Sequence, residues 1–474
     1  MTTILPPFAH PAPLRLGMVA LGALLATSTA GGQVAPTWAP ALDSVVNGAL
    51  ASSRAPGATV AVVSNGQLVY AKGYGLANVE TQQPMTADML LRVGSVTKMF
   101  TGATLATLVE SGKLDMNKPI AEYIPSLAGK RVGTVTTQQL MTHSAGWLDN
   151  AVAYGRMGEG ALGEVMREVS DTMFFTDPGR TFSYSNPSIS MAGYVAEMAG
   201  KQRFASLTES LVMRPTGMKR STFKPLEALT WPTAMGHEAD GANAPLAIVR
   251  PMTENTAQWA AGFLFSTAPE LARFSIALMT SGASETAWAI RPAVVKRMTT
   301  GYVPHPGGSG LDSAMYGYGL VVGNAKVAGK PERVWTHAGS INGYNAQLTM
   351  IPARQTSVVI LVNGPGSGIG AIESKALELA MGAPLQLKAR STPRQPTAAE
   401  RALLVGRYAM SLTSVELFER GDSLFLRQGD TTMPVQHGAD GELFIGGTRL
   451  AFYRLENGKV VYVYNGSRAL ARQP

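Results

Sequence analysis

The chain of 474 residues contains no cysteine, which excludes disulfides, thiolate-bound zinc and iron–sulfur clusters. Its six histidines are scattered and form no His-Glu-x-x-His pair, so no metal site is expected. Charged residues are sparse, at 15%, and the excess of Lys and Arg that gives a net charge of +8 is gathered into no run or stripe. That scatter argues against nucleic acid as a partner. No apolar run reaches the length of a membrane-spanning helix. No serine sits in a Gly-x-Ser-x-Gly setting, which argues against an α/β-hydrolase elbow.

Apolar residues, by contrast, make up 45% of the chain, enough for a large core and more than one domain. Near the start, Arg15 precedes the apolar stretch Leu16 to Ala26, and Thr27-Ser28-Thr29-Ala30 supplies small residues suited to cleavage. Residues 1–30 therefore read as a signal peptide. The mature protein is expected in the periplasm or outside the cell, with no membrane span.

Beyond it, Thr37 to Ser53 carries Trp38, Leu42, Val45 and Leu50 at helical spacing. Two β-rich runs, Ala58 to Val63 and Gln67 to Ala71, flank Ser64-Asn65-Gly66 and predict a hairpin. Helices follow at Thr136–Thr142, Ser188–Ala199 and Ala268–Met279, and strands return at 344–350 and 356–363. Strands at both ends of a mainly helical stretch imply an α+β unit over residues 37–385, with one antiparallel sheet flanked by helices and a mainly helical subdomain. Residues 386–400, rich in Pro and charge, read as a linker. The remainder, 401–474, alternates six short β runs with Gly421-Asp422, Gly446-Gly447 and Asn457-Gly458, predicting a small all-β barrel or sandwich.

The chemistry centres on Gly94-Ser95-Val96-Thr97-Lys98, which opens the apolar run Met99 to Val109. Residues three apart on a helix share a face. Ser95 and Lys98 would thus place an amine under a hydroxyl at a helix N-terminus, where free N–H groups and a positive field also favour an oxyanion. A serine needs such a base to become a nucleophile. The lysine serves as one only when neutral, so burial or a cationic neighbour must lower its pKa from about 10.4. Local alternatives exist: Ser95 as a helix N-cap with Lys98 a solvated charge, Tyr184 as core, and Asn186 as the cap of the helix opened by Pro187.

Further along stand Tyr184-Ser185-Asn186 and His337-Ala338-Gly339-Ser340. In order and spacing, the three stretches resemble the Ser-x-x-Lys, Tyr-x-Asn and Lys/His-x-Gly motifs of the penicillin-recognising serine hydrolases. The resemblance is to the class C β-lactamase and D-alanyl-D-alanine carboxypeptidase branch, which includes esterases. Leu140 to Gly146, Pro178 to Asn186 and Ala261 to Thr267 extend it across roughly residues 40–385. It implies a β-lactamase-like fold with Ser95 as nucleophile and Lys98 and Tyr184 as acid–base partners, Tyr184 acting as phenolate or proton relay. It further implies an oxyanion hole from the Ser95 and Ser340 backbone N–H groups, with Gly339 in the same strand. Asn186 would orient Lys98 and the substrate amide, and His337 would contact the substrate carboxylate or Tyr184. No cofactor is implied.

One residue departs from the best-known β-lactamases: His337 stands where they carry lysine. Imidazole is mostly neutral at pH 7, which leaves room for peptide and ester substrates beside β-lactams. The expectation is an exported serine hydrolase acting through acyl-Ser95 on such bonds. A class C-type antibiotic hydrolase is the alternative within enzymes, and a catalytically idle envelope binding protein the alternative outside them. His143 is expected to close a turn, residues 150–172 to cover the site, and Gly364 to Gly370 to be a connector. The oligomeric state is left open.

Overall fold

Val60, Ala61, Val62 and Val63 are all buried, so the first strand has no solvated face. A strand covered on both faces reads as a continuous apolar run instead of an alternating one. In the computed structural model this strand, β1 (Gly57–Ser64), runs through the middle of a ten-stranded sheet. The structure describes residues 35–241, 244–280, 290–306, 310–411, 413–439, 441–445 and 448–474. The expected signal peptide lies outside the described residues.

The other strands of the sheet are β2 (Gln67–Asn78), β3 (Gln83–Pro84), β4 (Val303–Pro304), β5 (Asp312–Tyr316), β6 (Val321–Val327), β7 (Lys330–Ile341), β8 (Tyr344–Ile351), β9 (Thr356–Val362) and β10 (Leu385–Gln386). Their order is β3-β2-β1-β9-β8-β7-β6-β5-β4, with β10 on β6, and every pairing is antiparallel. N- and C-terminal segments thus build one sheet, as the strand clusters in the sequence imply. On one face Val60 and Val62 pack with Leu42 and Val46 of α1 (Ala39–Ser53) and with Ile372 and Leu377 of a second helix, Ile369–Met381. On the other, Ala61 and Val63 meet the large core that holds Leu271 and Phe274 of the helix Ala268–Thr280.

Behind that helix lies α2 (Thr97–Glu110), buried at every position from Thr97 to Ala106. A helix apolar all round belongs in a core, and its hydroxyls turn back to carbonyls, as Thr104 does to Phe100 at 2.8 Å. Lys98 is the one charged side chain among those buried positions. A further helix, α3 (Asn186–Gly200), packs against α2 and begins at the end of the segment that carries Tyr184. In chain order, Ala268–Thr280 is α4 and Ile369–Met381 is α5.

The C-terminal part is a closed eight-stranded barrel: β11 (Gly406–Met410), β12 (Thr413–Arg420), β13 (Ser423–Gln428), β14 (Thr431–His437), β15 (Glu442–Ile445), β16 (Thr448–Glu456), β17 (Lys459–Asn465) and β18 (Arg468–Arg472). Apolar side chains such as Tyr408, Leu417, Leu424, Val435 and Val463 fill it. Closure leaves no sheet edge to protect. The two strands that the sequence pattern missed have identifiable causes. Thr431–His437 contains Pro434, which demotes a run as a strand, and Arg468–Arg472 is built of Arg, Ala and Leu. Within 386–400, Arg394 pairs through its backbone with His437 of β14, and Thr397 caps the helix Ala398–Leu404 with Glu400.

The barrel docks on the segment leading to Tyr184. Tyr184 N donates to Ser467 O at 2.9 Å, and Ala469 N donates to Ser183 Oγ at 3.1 Å. Thr181 and Thr176 share hydroxyl hydrogen bonds with Tyr464 and Tyr462 of β17.

Candidate active site

Gly94 and Gly339 set the approach of two backbones. Gly94 has φ +51°, and a Cβ there would lie 2.5 Å from Ser340 N. On the facing strand, a Cβ at Gly339 would lie 2.0 Å from Val93 O. Only residues without a Cβ let β7 press this closely on the turn Gly94–Val96 that precedes α2. In β7, Ser340 pairs with Asn345 next to a two-residue hairpin closed by Ile341 and Tyr344. The alternation of an antiparallel ladder turns the Ser340 N–H away from β8, on the edge of β7 that the Gly94–Val96 turn approaches.

Ser95 Oγ has two partners. Lys98 Nζ lies 3.0 Å away, and Tyr184 Oη donates to it at 2.8 Å. Lys98 Nζ also donates to Asn186 Oδ1 at 2.7 Å and to the Ala261 carbonyl at 2.6 Å. These last two can only accept. Two N–H bonds of a neutral amine satisfy them and leave the nitrogen lone pair for the Ser95 hydroxyl. Burial, reinforced by the positive field of Arg468 and opposed by Asp149, brings the Lys98 pKa down to about 7. An amine at that value is about half neutral at physiological pH. Tyr184 shifts the other way: desolvation holds its phenol well above the ordinary value, so at neutral pH it carries its proton. That favours the relay over the phenolate.

Asn186 is oriented from behind. Its Nδ2 and backbone N donate to Asp149 Oδ1 at 3.2 and 2.9 Å, which fixes the amide so that Oδ1 faces Lys98. The cap of α3 is Ser185, whose Oγ accepts from Ser188 N at 3.3 Å. Asn186 is the first helical residue, not the cap. Asp149 is in turn held by Arg468 of β18, whose Nε donates to Oδ2 at 2.8 Å. The guanidinium also lies 5.4 Å from the centroid of the Tyr184 ring.

His337 ends a chain of rings that starts at His143. Ser185 N donates to His143 Nδ1 at 3.1 Å, so the His143 proton sits on Nε2, which faces Tyr316 Oη at 3.3 Å. Tyr316 Oη then donates to His337 Nε2 at 3.0 Å, and His337 Nδ1 faces the Ala338 carbonyl at 2.5 Å. Its ring centroid stands 6.5 Å from that of Tyr184, and the hydroxyl it meets is that of Tyr316. Desolvation first, then the field of Lys98, lowers the His337 pKa to about 3. His337 is therefore a neutral side chain in the wall of the cleft. His143 does more than close a turn: it stacks on Tyr184 with ring centroids 4.3 Å apart.

These groups open into one cavity of about 710 Å³. Ser95, Tyr184, Asn186, Ser340 and Arg468 lie in its wall. Gly366, Ile369 and Gly370 join them, so the glycine-rich connector and the start of α5 border the cleft. Residues 150–172, expected as a cover, contribute nothing to the lining; the barrel, through Ser467 and Arg468, takes that place. Asp149, Tyr316, Ser467 and Arg468 escape sequence reasoning. Asp149 follows the Thr142–Gly146 motif closely, but Arg468 lies hundreds of residues away with no spacing to reveal it. No group of residues suited to hold a metal occurs among the described residues.

A family model described as Beta-lactamase matches residues 42–380. The chain belongs to that family. As a member of it, the protein is a serine hydrolase. Its sequence is 28% identical over 342 residues to a β-lactamase of Pseudomonas fluorescens, covering 68% of this chain and 92% of that protein. Among solved structures, SurE has a similar fold, with a TM-score of 0.72 at 22% identity over 92% of this chain and 99% of that one. SurE with D-Leu superposes with a TM-score of 0.68 at the same identity and coverage. The D-alanine carboxypeptidase AmpC of Burkholderia cenocepacia gives 0.57 at 24%, over 73% of this chain and 99% of its own. The β-lactamase-like fold expected from the motifs is thus present.

Proposed function

We infer that the protein is an exported hydrolase that cleaves peptide, ester or β-lactam bonds through an acyl-Ser95 intermediate. The observation that carries this reading is the pair of contacts on Ser95 Oγ, from Lys98 at 3.0 Å and Tyr184 at 2.8 Å, inside a substrate-sized cleft. Neutral Lys98 takes the hydroxyl proton as Oγ bonds to the carbonyl carbon. The oxyanion that forms faces the N–H groups of Ser95 and Ser340, a type of contact whose loss costs about 3–4 kcal/mol. As the tetrahedral adduct collapses, Tyr184 passes its proton to the leaving group and is reprotonated from the Lys98 ammonium. Water then repeats the cycle on the acyl-enzyme. Export rests on the leader-like residues 1–30.

A dedicated antibiotic hydrolase is a weaker reading, because neutral His337 offers no fixed charge to a β-lactam carboxylate. Intact-mass spectrometry decides between the readings, comparing wild type with Ser95→Ala after exposure to a penicillin and to a fluorophosphonate. A persistent penicillin adduct on wild type alone supports a peptidase. A transient adduct with loss of drug supports a β-lactamase. Absence of an adduct with either reagent removes the acyl-serine reading and leaves the idle binding protein.

A further inference from the structure

One face of the β7–β8 hairpin forms the floor of the cleft. The cross-strand pairs Ser340–Asn345, Ala338–Gln347 and Thr336–Thr349 lie along it in that order, and all six residues line the cavity. Strands rise about 3.3 Å per residue, so Thr336 stands about 13 Å along the floor from the Ser340 oxyanion donor. Above that far end, α5 places Glu373. Its Oε1 accepts from Gln347 Nε2 at 3.2 Å and from the Thr349 hydroxyl. Gln347 Nε2 also donates to Thr336 Oγ1 at 2.7 Å, and Thr336 donates on to the Leu348 carbonyl at 3.1 Å.

Every partner of this carboxyl is uncharged. Among the described residues Glu373 has no ion pair; the nearby Lys375 turns to Glu378 at 3.2 Å. Burial pushes the Glu373 pKa up, with the Thr349 and Gln347 hydrogen bonds pulling against it. A half-buried carboxyl, fixed by neutral donors and facing a ligand cavity, lacks one thing, a cation. The catalytic groups around Ser95 make no use of it.

We propose that Glu373, with Gln347 and Thr349, forms a substrate subsite for a primary ammonium group carried about 13 Å from the scissile carbonyl. The inference rests on acylation at Ser95 and adds the substrate class: amine-bearing acyl compounds, such as short peptides or esters ending in an amino group. The ammonium supplies the missing charge, and charge-assisted hydrogen bonds are the strong ones.

The test uses p-nitrophenyl esters of ω-amino acids of increasing chain length, each beside its N-acetyl counterpart, and reads the ratio of kcat/KM within each enzyme. In the wild type the ratio should climb to about tenfold or more once the chain reaches Glu373. In Glu373→Gln it should fall towards one, with circular dichroism and the melting transition showing a folded protein. Glu373→Asp, which keeps the charge on a shorter arm, should retain part of the preference. Turnover with a ratio near one at every length, or a ratio untouched in a folded Glu373→Gln, overturns the subsite and leaves the acyl-serine reading standing. Failure of the wild type to turn over any ester of the series overturns both.

Discussion

Arg468 donates from Nε to Asp149 Oδ2 at 2.8 Å, and the carboxylate it holds also receives the backbone and side-chain N–H groups of Asn186. Since Asn186 accepts from Lys98, a continuous line of hydrogen bonds runs from the last barrel strand to Ser95. The barrel is thus part of the electrostatics of the cleft. Asp149 is buried, at 4% side-chain exposure, whereas Arg468 is 43% exposed.

Arg468→Ala should move the ascending limb of the kcat/KM–pH profile to higher pH. The guanidinium lowers the Lys98 pKa and Asp149 raises it, so losing the cation favours the ammonium. Arg468→Lys keeps the charge and should hold the limb nearer its place. Because Arg468 is partly solvated, the stability loss of the alanine variant should be only about 1–2 kcal/mol by urea denaturation, below the usual toll for stranding a buried charge. A limb that stays put in Arg468→Ala would rule out the coupling.

The wild-type profile itself should rise through about pH 7, where Lys98 loses its proton. Lys98→Met should lose on the order of 10²–10⁴-fold in kcat/KM together with that limb. Stability carries a second signature. The native pKa lies below the unfolded value of about 10.4, so the unfolded chain holds a proton that the native one lacks between these values. Stability of the wild type therefore rises with pH across that window, by up to about 1.4 kcal/mol per unit. Unfolding at pH 6 and pH 9 should show Lys98→Met losing ground to the wild type as pH rises. An advantage that is the same at both values contradicts a depressed Lys98.

The motifs carried much of this arrangement because they are local. Ser95 lies in the turn Gly94–Val96 with Lys98 three residues on in the first turn of α2, and Tyr184 and Asn186 stand either side of the cap of α3, so local sequence brings each pair together. The hairpin at Asn65-Gly66 and the α+β order were equally readable. What stayed hidden depends on packing between distant segments. Nothing around Arg468 announces that β18 will lie beside Asp149, and nothing in His337-Ala338-Gly339 tells that Tyr316 will take the imidazole nitrogen. Of the two adjacent residues suited to cap α3, Ser185 takes the role while the Asn186 amide is held by Asp149.

Acid should unfold the protein through its desolvated histidines. Desolvation lowers the pKa of His337 to about 3 and of His305 to about 4, and that of His143 well below the ordinary value. Each is neutral in the native state and takes a proton near pH 6.5 when unfolded. Their contribution is complete above pH 6.5 and is lost as pH falls towards 4, at up to about 1.4 kcal/mol per histidine for each unit. Urea midpoints measured from pH 7 to pH 5 should fall steeply, with a shallower slope in His305→Phe, which packs a neutral ring beside Tyr316. Equal slopes in the two proteins would deny His305 its share.

Gly339→Ala tests the close approach on which the proposed oxyanion site depends. The added Cβ meets Val93 O at 2.0 Å and Ser95 N at 3.1 Å. Both are backbone atoms, so neither can swing aside, and β7 must back away from the turn that holds Ser95. Overpacking of this kind costs about 1–3 kcal/mol of stability. The larger effect should be on rate, because the Ser340 N–H moves out of reach of the oxyanion. A fall in kcat of about 10²–10³-fold is expected, the usual cost of one lost donor. Ser95 should still react with a fluorophosphonate, more slowly, since Lys98 and Tyr184 reach it from the other side. A variant that keeps wild-type kcat would mean that Ser340 donates nothing to the transition state, and that the oxyanion finds its second N–H elsewhere.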